Sequence, residues 1–499
     1  MLDSGSVAFY FEKFMKAEEW FKPKKYPHIG YPITAKAYGA VKEYIQNENN
    51  IRQHPFLPLI KRVQRIHKYK LKDGKCRRTV KERPICYASH LEAQIFSYYA
   101  KKLEEKFENY MASYGYAEHV TAYRSIKRKT GNGNKCNIDL AKDAFDYIKS
   151  AVHNGPLIVI SADISGFFDH LDHSLLKEAW KEICAIDQLN PAEYKVFKNV
   201  TKYSYVKIDD LFHLFHKEIV CQTKIGKKKK NIKHLRYFRD KEAVAFCNRK
   251  SINKIRKRGF ITTNKKKFGI PQGLPISAIL ANIYMHSFDK SISKFIKNIS
   301  GFYNRYSDDI ILICPFSYKE MCTDIMQKEL RNVKLDYSQE KTRHFKVAVD
   351  GDSISVIDEN TNKPTIIEYL GFCFDGKTIL IKNKNISKYY QKLHHTIGIK
   401  TWYAIHKRDS TRGAIFTKQI LKKFTPIGSK KRKVFIRHKD KIFYPSDKKT
   451  FGNFWTYVEK SATICNSPSI KHQLHRNKAI LQKSIEKAKA NIHITKKPL

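Results

Sequence analysis

The sequence contains few acidic residues and no long apolar segment. Of its 499 residues, 47 are Asp or Glu and 96 are Lys or Arg, so the formal net charge is +49. No run of about 18 or more uncharged apolar residues is present, which excludes an ordinary membrane-spanning helix. The N-terminus also lacks a basic region that leads into an apolar stretch. We therefore expect a soluble, cytoplasmic protein with no membrane partner and no secretory signal.

Paired cysteine motifs are absent as well. The ten cysteines are scattered along the chain, with no CxxC pair and no histidine at zinc-finger spacing. This pattern argues against a disulfide framework and favours free thiols in a reducing compartment over a zinc site.

Apolar material is nevertheless plentiful. Hydrophobic residues make up 42% of the chain and aromatic residues 13%, which excludes a disordered basic tail protein. A chain of this length predicts roughly two to four domains. Because Lys and Arg release condensed counterions when they meet phosphates, nucleic acid is the first expected partner and an anionic membrane surface the second.

The first half of the chain shows three ordered patterns. A strongly basic segment over 61–83 predicts a hairpin, and apolar residues at helical spacing predict a helix over 90–110. The run LIVISAD, 157–163, predicts a buried strand that ends at an acidic residue. Asp172 is then a candidate N-cap for a helix that extends to about Ile183.

The second half is more basic. Residues 224–233 hold six lysines and no acid, which predicts an exposed loop. A long buried helix is predicted over 275–296, and two strands around a turn are predicted over 302–314. Basic helices are predicted after Lys384, and 430–449 contains nine Lys or Arg against two Asp.

The informative chemistry lies in the scarce acidic residues. Asp308 and Asp309 are predicted at the tip of a turn between two strands, and Asp163 ends another strand. If these strands are neighbours, the three carboxylates converge on one edge of a sheet. Oxygen ligands of this kind suit Mg²⁺, and two such ions about 3.5–4 Å apart would support nucleotidyl transfer. An Asp-Asp pair in a hairpin is also common turn chemistry, so the pair needs the support of further motifs.

Several motifs together resemble a reverse transcriptase. Over 60–376, five segments occur in the order and approximate spacing of its palm motifs: SADISGFFDHLDH (161–173), GIPQGLPIS (269–277), YSDD (306–309), SQEKT (338–342) and EYLGFCFDG (368–376). Two further segments resemble the fingers of group II intron, retron and related bacterial enzymes: KERPI (81–85) and YGYAEHVTAYRS (114–125).

The resemblance implies an α+β fold of the right-hand polymerase type. It predicts fingers, a palm formed by an antiparallel sheet backed by helices, and a mainly helical, thumb-like C-terminal region. The implied division is an N-terminal extension at 1–60, fingers at 61–156, a palm at 157–383 with a basic insertion at about 185–267, and a basic C-terminal domain at 384–499.

The resemblance also implies the residues of the active site. Asp163, Asp308 and Asp309 are catalytic and, with Ile164, bind two Mg²⁺ ions, for which Mn²⁺ is an implied substitute. Lys341 is catalytic and would protonate the leaving pyrophosphate. The implied nucleotide-binding residues are Arg83, Lys81, Phe168, Gln272, Gly273 and Ser277. The implied primer grip is formed by Tyr369, Leu370 and Gly371.

Phe168 is the residue that separates polymerase classes. In reverse transcriptases an aromatic at this place blocks the 2′-hydroxyl of the incoming nucleotide, so Phe168 favours deoxynucleotides over the RNA polymerase alternative. Phe167 is expected to face the core, because neighbouring side chains alternate along an extended segment.

Basic and aromatic residues outside the motifs suggest an RNA partner. The expected nucleic-acid-binding residues are Lys227, Lys228, Lys229, Lys230, Lys430, Lys431, Arg432 and Lys433. Aromatic residues interleave with the C-terminal charges and would either stack on unpaired bases or form the core of that region: Tyr389, Tyr390, Trp402, Tyr403, Phe424, Phe435, Phe443, Tyr444 and Trp455.

The chain departs from the better-known subfamilies. It lacks the Cys/His endonuclease segment of group II intron proteins and the two signatures of retron enzymes. What remains resembles the bacterial defence-associated and abortive-infection reverse transcriptases, which implies cDNA synthesis from dNTPs in antiviral defence with a noncoding RNA as template or partner. Untemplated synthesis, protein priming and homo-oligomerisation stay open. The alternatives are a retron or group II intron-type enzyme or maturase, and an RNA-binding scaffold with secondary polymerase activity.

Overall fold

The computed structural model describes residues 18–72, 75–129, 132–223, 225–406, 413–430, 432–437, 443–450 and 452–496. The chain forms two compact units, each built from three separate stretches. Unit 1 comprises Met1–Tyr123, Ile164–Lys294 and Ile325–Tyr337. Unit 2 comprises Arg124–Asp163, Phe295–Asp324 and Ser338–Leu499. The domain boundaries expected from the sequence stay predictions.

The described helices are as follows: α1 Tyr38–Gln46, α2 Glu48–Gln53, α3 His90–Ser113, α4 Asn137–Ala151, α5 Phe167–His170, α6 His173–Cys184, α7 Pro191–Thr201, α8 Ile208–Phe215, α9 Ile252–Lys257, α10 Ser277–Tyr284, α11 His286–Asn298, α12 Lys319–Asn332, α13 Asn383–His406, α14 Thr417–Phe424, α15 Phe454–Ile464, α16 Ser469–His472 and α17 Asn477–Lys496. None of the helices among the described residues is long and apolar enough to cross a bilayer.

The described strands are as follows: β1 His28–Ile29, β2 Leu59–Lys72, β3 Lys75–Tyr87, β4 Leu157–Asp163, β5 Ser204–Lys207, β6 Ile219–Thr223, β7 Gly226–Lys230, β8 Ala243–Cys247, β9 Thr262–Thr263, β10 Phe302–Tyr306, β11 Asp309–Pro315, β12 Arg343–Asp350, β13 Ser353–Asp358, β14 Lys363–Pro364, β15 Ile367–Tyr369, β16 Phe372–Phe374, β17 Ile379–Ile381, β18 Arg432–Arg437 and β19 Phe443–Thr450.

Unit 2 is organised around a six-stranded sheet, which we call the central sheet. Its strand order is β10-β11-β4-β12-β13-β14, and every neighbouring pair is antiparallel. The β-branched run of β4 suits a strand with neighbours on both sides, and its first four residues are buried. Apolar residues of α4, among them Phe145 and Ile148, belong to the same buried cluster as Val159 of β4 and Ile311 of β11. The expected α+β class with a helix-backed antiparallel sheet is confirmed.

Unit 1 contains two smaller sheets. The basic hairpin β2–β3 pairs along its whole length and continues into β5 and β9, with the order β3-β2-β5-β9. The second sheet has the order β1-β8-β6-β7, and its inner residues share a buried cluster with α8 and α9. The predicted hairpin and the helix that follows it are both confirmed.

Three local predictions need correction. Residues 226–230 form an edge strand, β7, rather than a loop, because their backbone pairs with β6 while the lysine side chains remain in solvent. The helix predicted over 275–296 is two helices, since α10 ends at Tyr284 and α11 begins at His286. Phe167 is buried as expected, but it begins the short helix α5 rather than lying on an extended segment.

The C-terminal part of unit 2 is mainly helical, as expected, with one unpredicted hairpin. Strands β18 and β19 pair within the basic stretch 430–449. The nine cysteines whose side chains are described are all free thiols.

Candidate active site

Two of the predicted carboxylates are direct neighbours in the central sheet. Strands β4 and β11 pair with Asp163 opposite Asp309, and Asp308 lies in the turn between β10 and β11. Residues opposite each other in an antiparallel pair project from the same face. The strands are neighbours, as the sequence analysis required, while the joint role of the three carboxylates as metal ligands stays a prediction.

The turn that carries Asp308 is held by a buried guanidinium. Ser307 has a φ of +62°, a left-handed conformation that is uncommon for a residue other than glycine. Arg305 is fully buried, and its guanidinium donates to the Ser307 carbonyl over 3.0 Å. This contact fixes the strained turn and with it the position of the carboxylate that follows.

The acidic cluster is electrostatically crowded. The pKa of Asp309 is raised to about 6, first because the surrounding protein removes water from its carboxyl group and then because Asp308 and Asp163 lie near. The Asp309 side chain still reaches solvent, so the desolvation is partial. The site therefore holds more negative charge than its own lysines neutralise.

Lys341 is placed on this cluster by a short turn. The Ser338 amide donates to the Asp163 carbonyl over 2.8 Å, and the Lys341 amide donates to the Ser338 carbonyl over 2.9 Å. The Lys341 ammonium forms an ion pair with the Asp163 carboxylate. The predicted general acid thus contacts one of the predicted metal ligands.

These residues suit a divalent cation by the chemistry of their donors. Three carboxylates at one strand edge, with a raised pKa at Asp309, form a hard oxygen donor set in need of positive charge. Within the described part of the chain, no three acidic, histidine or cysteine side chains are drawn together at coordination distance.

A tight hairpin lies in the same unit. Between β15 and β16, Leu370 and Gly371 have φ values of +45° and +91°. The Asn137 side-chain amide donates to the Leu370 carbonyl over 3.1 Å, and the Lys382 amide donates to the Gly371 carbonyl over 3.0 Å. The Leu370 and Gly371 carbonyls of the predicted primer grip are thus held by hydrogen bonds, so the turn is preorganised.

A cavity of about 400 Å³ separates this hairpin from the acidic cluster. Its lining includes Asp309 together with Asn137, Ser161, Tyr306, Glu368, Tyr369, Leu370, Gly371 and Lys382. Sequence reasoning missed Asn137 and Lys382. Lys382 forms an ion pair with Glu368, and neither it nor Asn137 belongs to a motif that would have singled it out.

The predicted nucleotide-binding residues belong to unit 1, and Phe168, Gln272 and Gly273 lie in or beside the loop 269–273. The Ile270 amide donates to the Phe168 carbonyl over 2.9 Å, and the Gln272 carbonyl accepts from the Cys86 amide over 2.8 Å. Gly273 has a φ of +107°, and a side chain there would lie 2.5 Å from the Cys86 carbonyl. The loop is therefore fastened to α5 on one side and to the end of β3 on the other.

The other predicted nucleotide-binding residues, and the predicted metal ligand Ile164, differ in solvent exposure. Arg83 and Lys81 are exposed on β3, with their side chains in solvent. Ser277 is buried, and its hydroxyl donates to the Pro271 carbonyl over 2.6 Å, so it stabilises the loop. Ile164 is buried in unit 1 and forms a β-bridge with Tyr337. The nucleotide and metal contacts of these residues stay predictions.

The predicted basic residues are only partly described. Lys227 lies over the Tyr31 ring at 4.4 Å, and Lys229 pairs with Glu218 at 2.9 Å, while all four lysines of β7 are exposed. Lys430 is exposed, Arg432 and Lys433 belong to β18, and Lys431 lies outside the described residues.

Carboxylates at a sheet edge, a lysine paired with one of them and a preorganised hairpin are the groups that nucleotidyl transfer requires. Residues 230–374 match the family described as Reverse transcriptase (RNA-dependent DNA polymerase). That segment is therefore similar to a reverse transcriptase domain. The match includes Asp308, Asp309 and Lys341, and it begins after Asp163.

Comparison with solved structures finds similarity to yeast telomerases. An apo telomerase from Candida tropicalis truncated from its C-terminal domain shares 12% identity over 70% of this chain and 61% of its own, with a TM-score of 0.39. Telomerase from Candida albicans, in complex with the TWJ fragment of telomeric RNA, shares 14% identity over 91% of this chain and 64% of its own, with a TM-score of 0.38. This chain therefore spans less than two thirds of either telomerase. No curated protein matches the sequence.

Proposed function

We propose that this protein is an RNA-directed DNA polymerase that makes cDNA by metal-assisted nucleotidyl transfer. The observation that carries the proposal is the register of the central sheet, which sets Asp163 opposite Asp309 and beside the Asp308 turn. The reverse transcriptase domain at 230–374 supports the same reaction.

Residues of this chain can fill most of the roles that nucleotidyl transfer requires. Divalent cations held by Asp163, Asp308 and Asp309 would supply charge neutralisation and activation of the primer hydroxyl. Lys341 carries on its Nζ the proton that the leaving pyrophosphate needs. The Leu370–Gly371 turn, fixed by Asn137, holds the primer end, and Arg83 offers a planar fork for the triphosphate.

The proposed setting is bacterial antiviral defence in the cytoplasm, with Mg²⁺ as the metal and a noncoding RNA as template or partner. The support is the palm motifs without intron or retron signatures, and the exposed lysines of β7. Sequencing the nucleic acid that co-purifies with the protein, before and after addition of dNTPs, would identify template, primer and product together.

Replacing both turn carboxylates tests the proposed reaction. Purified Asp308→Ala/Asp309→Ala protein, given its co-purifying RNA, dNTPs and Mg²⁺, should make no detectable DNA, because two of the three carboxylates of the cluster are lost. A matched control is Asp209→Ala/Asp210→Ala, which removes an adjacent acidic pair in the first turn of α8. Unchanged DNA synthesis in the Asp308/Asp309 variant would refute the polymerase.

The same variant separates the enzyme from an RNA-binding scaffold. The exposed lysine strand favours RNA binding independently of catalysis. If the cellular phenotype and RNA binding both survive loss of Asp308 and Asp309, the scaffold becomes the primary function.

A further inference from the structure

Helix α13 has two different faces. One face is buried in the apolar cluster of unit 2 and includes Tyr389, Leu393 and Ile397. The opposite face is exposed, and we call it the solvent face of α13. It comprises Lys384, Lys388, Lys392, His395, Ile399, Trp402, Tyr403 and His406. These positions follow the three- and four-residue spacing of one helix face.

The solvent face begins with lysines. Lys384, Lys388 and Lys392 are all exposed. Their end of the helix is next to the primer turn, since the Asn385 side chain donates to the Gly371 carbonyl over 3.4 Å. The basic part of the face therefore starts where the predicted primer grip is fixed.

The solvent face ends with large apolar and aromatic side chains. Ile399, Trp402 and Tyr403 are 43%, 54% and 45% exposed. The rings of Trp402 and His406 are stacked, with centroids 4.7 Å apart and an interplanar angle of 17°. Exposed apolar groups gathered on one helix face indicate a binding surface, and the core of unit 2 already uses the other face.

The charges near the solvent face of α13 indicate the chemical class of its partner. Neither α13 nor α14 contains a single Asp or Glu. Two hydrogen bonds join these helices: Lys400 of α13 donates to the Gln419 side chain, and Lys423 of α14 donates to the Thr396 hydroxyl. An aromatic surface on a helix without acidic residues suits a ligand that combines planar rings with phosphates.

We propose that the solvent face of α13 binds an unpaired nucleic-acid strand. Backbone phosphates lie along the three lysines, and bases stack on Trp402 and Tyr403. Trp402 is 17 residues beyond Asn385, which places it about 26 Å along the helix from the primer turn. The proposal names a partner surface for the proposed polymerase and rests on that function only for its biological meaning.

Binding to full-length protein tests the proposal without catalysis. Fluorescence anisotropy with labelled oligouridine and with a blunt RNA duplex would be measured in the absence of dNTPs. Trp402→Ala should raise the Kd for oligouridine roughly tenfold, as expected for one lost base stack, and change the Kd for the duplex little. Tyr194→Ala is the matched control, because Tyr194 is 47% exposed on a different helix.

A second readout guards against a merely structural effect. Of the four tryptophans, Trp20 and Trp180 are buried and Trp455 is half-buried. Trp402 should therefore dominate any change in intrinsic fluorescence when a ligand binds at the surface. Oligouridine should quench the intrinsic fluorescence. Trp402→Phe should abolish most of that quench while keeping the affinity, because a phenyl ring still stacks.

Two outcomes would overturn the proposal. One is an unchanged Kd for oligouridine in Trp402→Ala. The other is a dimer in sedimentation that Trp402→Ala dissociates, which would assign the face to a second copy of the chain. The binding assay contains no dNTPs and does not depend on catalysis, so failure of the polymerase and failure of this surface give different results.

Discussion

At the scale of single residues, the site depends on a few side chains held by neighbours far away in sequence. The pKa of Asp309 is raised first by loss of water around its carboxyl group and then by Asp308 and by Asp163, which a strand pairing brings beside it. Asn137 belongs to no motif, yet its amide fixes the Leu370 carbonyl. The motifs predict the reacting groups, whereas the residues that hold those groups in place are evident only from the contacts in the folded chain.

Phe168 provides a residue-scale test of sugar selection. Its side chain is half-buried, and its carbonyl accepts from the loop that carries Gln272. Phe168→Ala should increase ribonucleotide incorporation relative to deoxynucleotides, because the smaller side chain leaves room for a 2′-hydroxyl. Competition assays with mixed dNTPs and rNTPs measure the ratio. An unchanged ratio would remove the basis for assigning sugar choice to Phe168.

At the scale of elements, α4 connects stability with the site. Its first turn is closed by Cys136 and Asp139, and the Arg128 guanidinium pairs with Asp139 at 2.7 Å. Burial alone would raise the pKa of Asp139, but hydrogen bonds from Arg128 and from Cys136 outweigh it, and the net pKa is lowered. Because Asn137 begins α4, the same turn supports the primer hairpin.

This lowered pKa predicts a specific pH dependence. The stabilisation from Asp139 is present above its unfolded pKa of about 3.9 and is lost as the pH falls through the lower folded value. Asp139→Asn should reduce the free energy of unfolding by about 2 kcal/mol at neutral pH and weaken its dependence on pH below about 4. Urea titrations at several pH values measure both effects.

Asp143→Asn is the control for that experiment. The pair between Asp143 and Lys135 is more exposed, with 39% and 22% of the side chains in solvent. Its loss should cost less than about 1 kcal/mol. Equal losses in the two variants would contradict a special role for the Arg128 pair.

At the scale of the whole molecule, the net charge of +49 is distributed by role. Lys341 neutralises part of the acidic cluster, and Lys382 pairs with Glu368 beside the cavity. The lysines of β7 and of the solvent face of α13 stay in solvent, where phosphates can reach them. The positive charge on these two surfaces is therefore available to a polyanion.

Salt dependence tests this distribution. The slope of the logarithm of the RNA-binding constant against the logarithm of the salt concentration should become shallower in Lys228→Ala/Lys230→Ala. The expected change is about 1.4 to 1.8, the value for two lost phosphate contacts. The control is Lys102→Ala/Lys106→Ala, which removes two exposed lysines of α3. Equal changes in both variants would mean that binding follows net charge rather than the β7 surface.

The sequence by itself determined the strand β4, the helix cap at Asp172, the YSDD turn and the residue types of the acidic cluster. These features are local, because β-branched runs, capping residues and turn residues act within a few positions. The tertiary structure decided the rest. It pairs Asp163 with Asp309, makes the lysine segment an edge strand, and separates buried Tyr389 from exposed Trp402 on the same helix. The physical reason is that strand register and side-chain burial depend on which elements pack together, and that packing involves residues distant in sequence.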